Sequence, residues 1–295
     1  MSRGTTTVLA RWAPDVVRPW QALVAQAGTG ETAALVGLLR STCAAANGLD
    51  GLPLPPGIPT LPEYAPVVVE FAEQFCVDVS SVDDELRGRF TEAVGAESGN
   101  VVAALWVADM LPRVDHALTR LFPEDADSDY DEIAWRTPSD LLTDVVARLI
   151  PAMGQLQALD AVTTEVVRLR GAAAHNCRLC KSLRDTTAIA AGADESVLSG
   201  LADDAQAQVD LEPRHRAAVA LADAVIWSPA HLSDDLLADV RRHLSPEEQL
   251  EVVLDVARNG VNKIMVALGA DAARVTDGVE HYHVGSDGIP VFAEV

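Results

Sequence analysis

Aromatic residues are scarce in this chain, at 4% of 295 residues, although apolar residues make up 49%. Ala, Val and Leu supply most of the apolar content, and these side chains pack helix against helix. Basic residues are also few, with 22 Lys plus Arg against 44 Asp plus Glu and a net charge of -22. Such a surface repels phosphate backbones and anionic lipid, which argues against nucleic-acid and membrane partners. No apolar run reaches the ~20 residues that a membrane-spanning helix needs. The stretch from Met1 to Pro14 has no apolar segment of the secretory kind. Cysteine is limited to four positions. Without an export signal these point to a reducing, cytoplasmic setting, where a close cysteine pair is more often redox-active or metal-binding than structural. No glycine-rich phosphate loop follows a strand, so no organic cofactor is expected.

What is present reads as helix nearly throughout, and an all-α fold is expected. Leu142, Val145, Val146 and Leu149 keep a helical period after the start signal Thr137-Pro138-Ser139-Asp140. A second helix passes through Val162, Val166, Val167 and Leu169 to about Ala174. Asn176 is a plausible N-cap for a third, which would hold Cys177 in its first turn and run to Ala191, stopping at Gly192. Ser245-Pro246-Glu247-Glu248 forms a capping box that opens a long apolar helix reaching Leu268. The tail, His281 to Val284 and Ile289 to Phe292, is the one extended candidate.

The chain also repeats itself. Ala65 to Leu118 resembles Arg214 to Leu268 at an offset of about 150 residues. Val82-Asp83-Asp84-Glu85-Leu86 answers Ser233-Asp234-Asp235-Leu236-Leu237. Two tandem helical units are expected, at 1–122 and 137–275, joined by an acidic linker at 123–136 and followed by a tail at 276–295. The first unit has a Pro/Gly run, Gly51 to Pro59, where the second has a cysteine pair, so only the second is expected to carry chemistry.

That pair is Cys177-Arg178-Leu179-Cys180, with Glu165 twelve residues before it. Cysteines three apart on one helical turn have Cα atoms roughly 5 Å apart, within reach of a disulfide. The thiolate is the reactive form, so a locally activated pair is a redox device first. A zinc site would need two further ligands. His175 could be one, but no second pair with metal spacing follows.

The segment from Glu165 through the cysteine pair to Ala188-Ile189-Ala190-Ala191-Gly192-Ala193-Asp194-Glu195, with the block Arg216 to Asp271, resembles the AhpD-like, carboxymuconolactone decarboxylase superfamily. The resemblance covers about 137–275 well and 30–120 weakly. It implies a thiol-dependent oxidoreductase acting on a peroxide or disulfide, with a dithiol electron donor and assembly into a homo-oligomer. By the family's usage Cys180 attacks, Cys177 resolves and Glu165 helps to deprotonate. The family places a histidine four residues after the second cysteine, where this chain has Arg184. Arginine cannot shuttle protons, but one helical turn from Cys180 it would stabilise a thiolate. His175 could stand in for the missing histidine or simply end a helix.

Two other readings follow from the same residues: a catalytically silent helical interaction protein, and a cofactor-free lyase like the decarboxylase branch, which does without a CxxC. Cys43 and Cys76 lack partners at useful spacing and read as core. His281 and His283 alternate like strand residues. Trp12, Trp20, Trp106, Trp135 and Trp227 read as packing anchors.

Overall fold

The computed structural model describes residues 2–28, 30–57, 60–137, 140–203 and 211–292. Ile58 and Pro59 of the Pro/Gly run, and Pro138 and Ser139 of the expected helix start, lie outside them. The described chain is mostly helical, as the apolar periodicity requires, and it divides into two compact units, Met1–Leu149 and Ile150–Val295.

In the first unit, α1 (Arg3–Trp12) and α2 (Pro14–Val24) precede α3 (Gly30–Asn47), α4 (Ala65–Asp78), α5 (Asp84–Val94) and α6 (Ser98–Leu121). α3 lies against both α4 and α6. Trp20, Phe71, Phe75, Phe90 and Trp106 are fully buried here, so the few aromatics are concentrated where they exclude most water. Trp12 leans on Phe122, with ring centroids 5.1 Å apart. Trp135 lies under the Arg40 guanidinium, whereas Trp227, in the second unit, is 47% exposed. Cys43 and Cys76 are buried and unbridged. Residues 123–136 belong to this unit, with the amides of Arg3 and Gly4 bonded to the carbonyls of Asp129 and Asp127. So do α7 (Leu141–Asp144), capped by Asp140, and the π-helical turn Val145–Leu149.

In the second unit, α8 (Ile150–Gly154) leads to α9 (Ala161–Ala174), which is buried on nearly every side. α9 meets α12 (Glu195–Asp203) and α13 (Pro213–Trp227) through Val166, Leu169, Leu198, Leu201 and Val219, and it also lies against α15 (Pro246–Gly260). α14 (Asp234–His243) joins α13 to α15 and starts on Ser233, whose side chain accepts the Leu236 amide. The capping box forms at Ser245 and Glu248. α15 does not continue to Leu268. It stops at Gly260, turns through Val261 and Asn262, and resumes as α16 (Lys263–Ala267).

The helix expected from Asn176 to Ala191 is broken into three. Asn176 takes a left-handed conformation, φ 48°, and Cys177 is the N-cap of a single turn, α10 (Arg178–Lys181). Leu183–Asp185 is a strand, β1, and α11 (Thr186–Ala190) follows it. The strand exists because a distant segment pairs with it. β2 (Glu280–Val284) lies parallel to β1 with Arg184 opposite His281, and β3 (Pro290–Phe292) pairs antiparallel with β2. His281 and His283 face solvent while Tyr282 points inward, the period-2 alternation of a half-buried strand. The turn of this hairpin seats tightly on α8. Gly288 has φ +78°, and a side chain there would collide with the Pro151 carbonyl.

A buried carboxylate on α15 gives this unit a pH dependence. Burial, then the neighbouring Asp255, pushes the Glu251 carboxyl up from 4.5 to about 7, although the amides of Ala158 and Leu159 donate to it. The folded chain therefore holds this proton to higher pH than the unfolded chain does. The stabilising contribution is intact below about pH 4.5 and is lost as pH rises through 7. Glu251→Gln keeps an oxygen acceptor and removes the titration. We expect the variant to lose up to about 3 kcal/mol less stability than the parent between pH 4.5 and 8. Urea unfolding of both proteins across that range measures the difference, and parallel pH profiles would exclude Glu251 as the cause.

Candidate functional site

The cysteines meet as the spacing requires. Cys177 and Cys180 are joined in a disulfide with Cα atoms 5.2 Å apart. Cys177 is fully buried and Cys180 is 5% exposed. As N-cap, the Cys177 sulfur accepts the Cys180 amide at 3.2 Å. The two N–H groups before it in the same turn go to Asp271. The Arg178 amide donates to its carboxylate at 2.9 Å and the Leu179 amide to its carbonyl at 2.9 Å. Burial would raise the Asp271 carboxyl, but the Arg178 side chain and the amides of Arg178 and Asp271 itself outweigh it and hold it below the usual carboxylate range.

Glu165, one turn into α9, is buried and committed to a partner. Its carboxylate takes a two-pronged bond from Arg168, Nε to Oε2 at 2.6 Å and Nη2 to Oε1 at 2.8 Å, and accepts the Asp185 amide at 3.2 Å. Arg168 spends its remaining donors on the backbone after the cysteines. Nη1 reaches the Cys180 carbonyl and Nη2 the Leu183 carbonyl, each at 2.8 Å. A buried guanidinium thus caps the end of α10 and the start of β1, which is why the chain leaves the helix there. Burial alone would weaken the hold of Arg168 on its proton. The Glu165 carboxylate outweighs burial and keeps the guanidinium charged. The Tyr282 ring of β2 lies 5.5 Å from the same guanidinium, and burial drives the Tyr282 hydroxyl well above its ordinary value.

Arg184 is elsewhere. In β1 it is not a helical neighbour of Cys180. Its donors go to Glu195 at 3.0 Å, Ser199 at 3.2 Å and the carbonyls of Lys181 and Leu183 at 2.9 Å. The cation bonded to the cysteine turn is Arg168. Its position three residues after Glu165 signals an ion pair on one helix face, a signal the sequence reading passed over.

Beside the disulfide is a cavity of about 180 Å3. Cys177, Cys180, His175 and Arg168 line it from one side, and Arg258, Asn259, Val261 and Asn262 at the α15–α16 break line it too. The C-terminal hairpin contributes Tyr282, Gly288, Pro290 and Phe292. His175, the C-cap of α9, therefore shares the cavity with both cysteines, whereas Arg184 does not border it. Among the described residues no group of three or more His, Cys, Asp and Glu is arranged to hold a metal ion, and no helix is long and apolar enough to cross a membrane.

Two proteins of Mycobacterium tuberculosis, uncharacterized protein MT2376 of strain CDC 1551 and uncharacterized protein Rv2313c of strain H37Rv, are similar in sequence to this chain. Each is 43% identical over 265 residues, spanning 88% of this chain and 92% of its own length. The chain belongs to their family. No family model and no solved structure matches it.

Arg168 is the residue whose loss the site should tolerate least. Arg168→Met would leave the Glu165 carboxylate buried without its cation and take the guanidinium's donors from the carbonyls of Cys180 and Leu183. We expect it to destabilise the chain by about 3–5 kcal/mol, the usual cost of breaking a buried pair. Arg168→Lys restores charge but not the fork, and should recover only part of that loss. Denaturant unfolding of both variants with the disulfide intact checks this, and a loss under ~1 kcal/mol for the Met variant would contradict the assigned role.

Proposed function

We propose that this protein is a cytoplasmic thiol-dependent oxidoreductase, similar to the alkylhydroperoxidases of the AhpD-like superfamily, working through Cys177 and Cys180. The observation that carries this reading is the juxtaposition of the two sulfurs, a buried arginine bonded to their turn, and a cavity beside them. In the reduced state both features favour thiolate. The Cys180 amide points at the Cys177 sulfur, and the Arg168 cation is held against the Cys180 carbonyl.

In the proposed cycle the Cys180 thiolate attacks the outer oxygen of a hydroperoxide. The O–O bond breaks, the alkoxide leaves as an alcohol after taking a proton, and Cys180 becomes a sulfenic acid. The Cys177 thiol then displaces water from that sulfur, forming the disulfide. A donor dithiol reduces it and is itself oxidised to a disulfide. Exchange with a disulfide substrate uses the same pair without the sulfenic step.

The two-unit organisation supports a duplicated AhpD-like ancestor. α3 packs on α4 and α6 as α9 packs on α13 and α15, and α5 and α14 start 150 residues apart on capped aspartates, Asp84 and Asp234. The proposed protein acts as a homo-oligomer, with a peroxide or disulfide substrate and a dithiol donor as its partners.

Iodoacetamide labelling of the reduced protein over a pH series, read at each cysteine by mass spectrometry, tests the reading. At least one of Cys177 and Cys180 should titrate at least one unit below the free thiol value of about 8.5. Peroxide should rejoin the pair and leave Cys43 and Cys76 free, and Cys180→Ser should abolish turnover. Ordinary titration of both thiols, with no mutual disulfide under peroxide, would leave the silent interaction protein as the better account.

A further inference from the structure

The amides at the start of α10 are divided between a sulfur and a carboxylate. Backbone N–H groups that open a turn on a cysteine are the groups that would stabilise a thiolate there. Here the Cys180 amide reaches the Cys177 sulfur, at 3.2 Å. The amides of Arg178 and Leu179 are taken by Asp271, the first by its carboxylate and the second by its carbonyl, each at 2.9 Å. The Asp271 side chain is 5% exposed. Burial works against its charge, but Arg178 and the backbone amides outweigh burial, so the carboxylate is ionised at neutral pH.

Bond lengths fix where this charge sits. The Arg178 nitrogen is joined directly to the Cys177 carbonyl carbon, so the carboxylate oxygen bonded to it lies within about 8 Å of the Cys177 sulfur. A unit charge at that range, at an effective dielectric near 20, opposes a second negative charge on sulfur by roughly tenfold. The Arg178 guanidinium donates to Asp271 at 2.7 Å and offsets part of this. Its side chain is 60% exposed, so water and salt screen it more than they screen the carboxylate. The other guanidinium groups at the cavity have carboxylates of their own, Glu165 for Arg168 and Asp255 for Arg258.

We infer that Asp271 is a positioning residue that sets the redox poise of the Cys177–Cys180 pair, by fixing a negative charge against the cysteine turn with Arg178 as its counterweight. The carboxylate disfavours thiolate and so favours the disulfide, while the guanidinium acts in the opposite sense. The inference rests on the thiol reading only in taking the pair to open and close in use.

Equilibration of the full chain with dithiothreitol at pH 8.5 measures the poise. Dithiothreitol gives up two electrons and two protons and closes to its cyclic disulfide. The Cys177–Cys180 bond opens to one thiol and one thiolate, and the second proton goes to buffer. Acid quenching, alkylation and mass spectrometry count the open form. Asp271→Asn keeps an oxygen for the Arg178 amide but no charge, and should shift the equilibrium about tenfold toward the open form. Arg178→Gln leaves the carboxylate without its cation, and should shift it about threefold toward the disulfide. Arg178→Lys keeps the cation and should stay within twofold of the parent. The Asn and Gln variants break the same ion pair, so a merely structural role moves both in one direction, whereas charge moves them in opposite directions. Shifts of one sign, or none beyond twofold, would overturn the inference. If Asp271→Asn fails to fold, Arg178→Gln decides alone, and any result other than a shift toward the disulfide overturns it. Hydrogen peroxide turnover by the parent is measured alongside. Opposite shifts without turnover leave the role of Asp271 standing and sink the oxidoreductase reading. Turnover with shifts of one sign does the reverse.

Discussion

The Glu165–Arg168 pair organises the second unit. Both residues sit on α9, the helix that the rest of that unit packs around, and both are buried. Isolated, either charge would be untenable there. Together they form a planar double hydrogen bond, and two of the three N–H groups left on the guanidinium reach the carbonyls of Cys180 and Leu183. From this follow the single turn of α10, the exit into β1 and the placement of the cysteines at a cavity wall. The Asp185 amide closes the arrangement on the carboxylate side.

That geometry changes how Glu165 should be understood. A proton carrier needs a free lone pair facing the reacting group. Here three donors take three of its roughly four lone-pair sites, and one site on Oε2 is left. Its bonded role in this arrangement is to hold Arg168. The cation that the sequence reading sought at Arg184 is supplied from α9 instead, while Arg184 ties β1 to α12 through Glu195 and Ser199. His175 is the histidine that borders the same cavity as the sulfurs.

Much of the helical pattern was legible because it is local. Apolar periodicity gave α9, and the capping box gave the start of α15. The spacing of Cys177 and Cys180 gave the disulfide reach. Three features were not legible. β1 is three residues long and carries no strand signal of its own. It is defined by β2, about 100 residues later. The break of the cysteine helix depends on where a buried guanidinium points. The interruption of α15 at Gly260 to Asn262 lies in an otherwise apolar run, and only its polar flanks, Asn259 and Asn262, mark it as the edge of a cavity.

β1 begins two residues after Cys180 is complete, and the Glu280 amide of β2 bonds the intervening Ser182 carbonyl at 2.8 Å. The hairpin that walls the cavity is therefore hydrogen-bonded to backbone that lies only a few covalent bonds from the disulfide. Thermodynamic reciprocity then applies between them. Any free energy that opening the disulfide removes from β1–β2 pairing must reappear as an equal bias of that pairing on the ease of reduction. If opening the disulfide weakens that pairing, a substitution as remote as Gly288, at the turn against α8, changes the ease of reduction without touching sulfur.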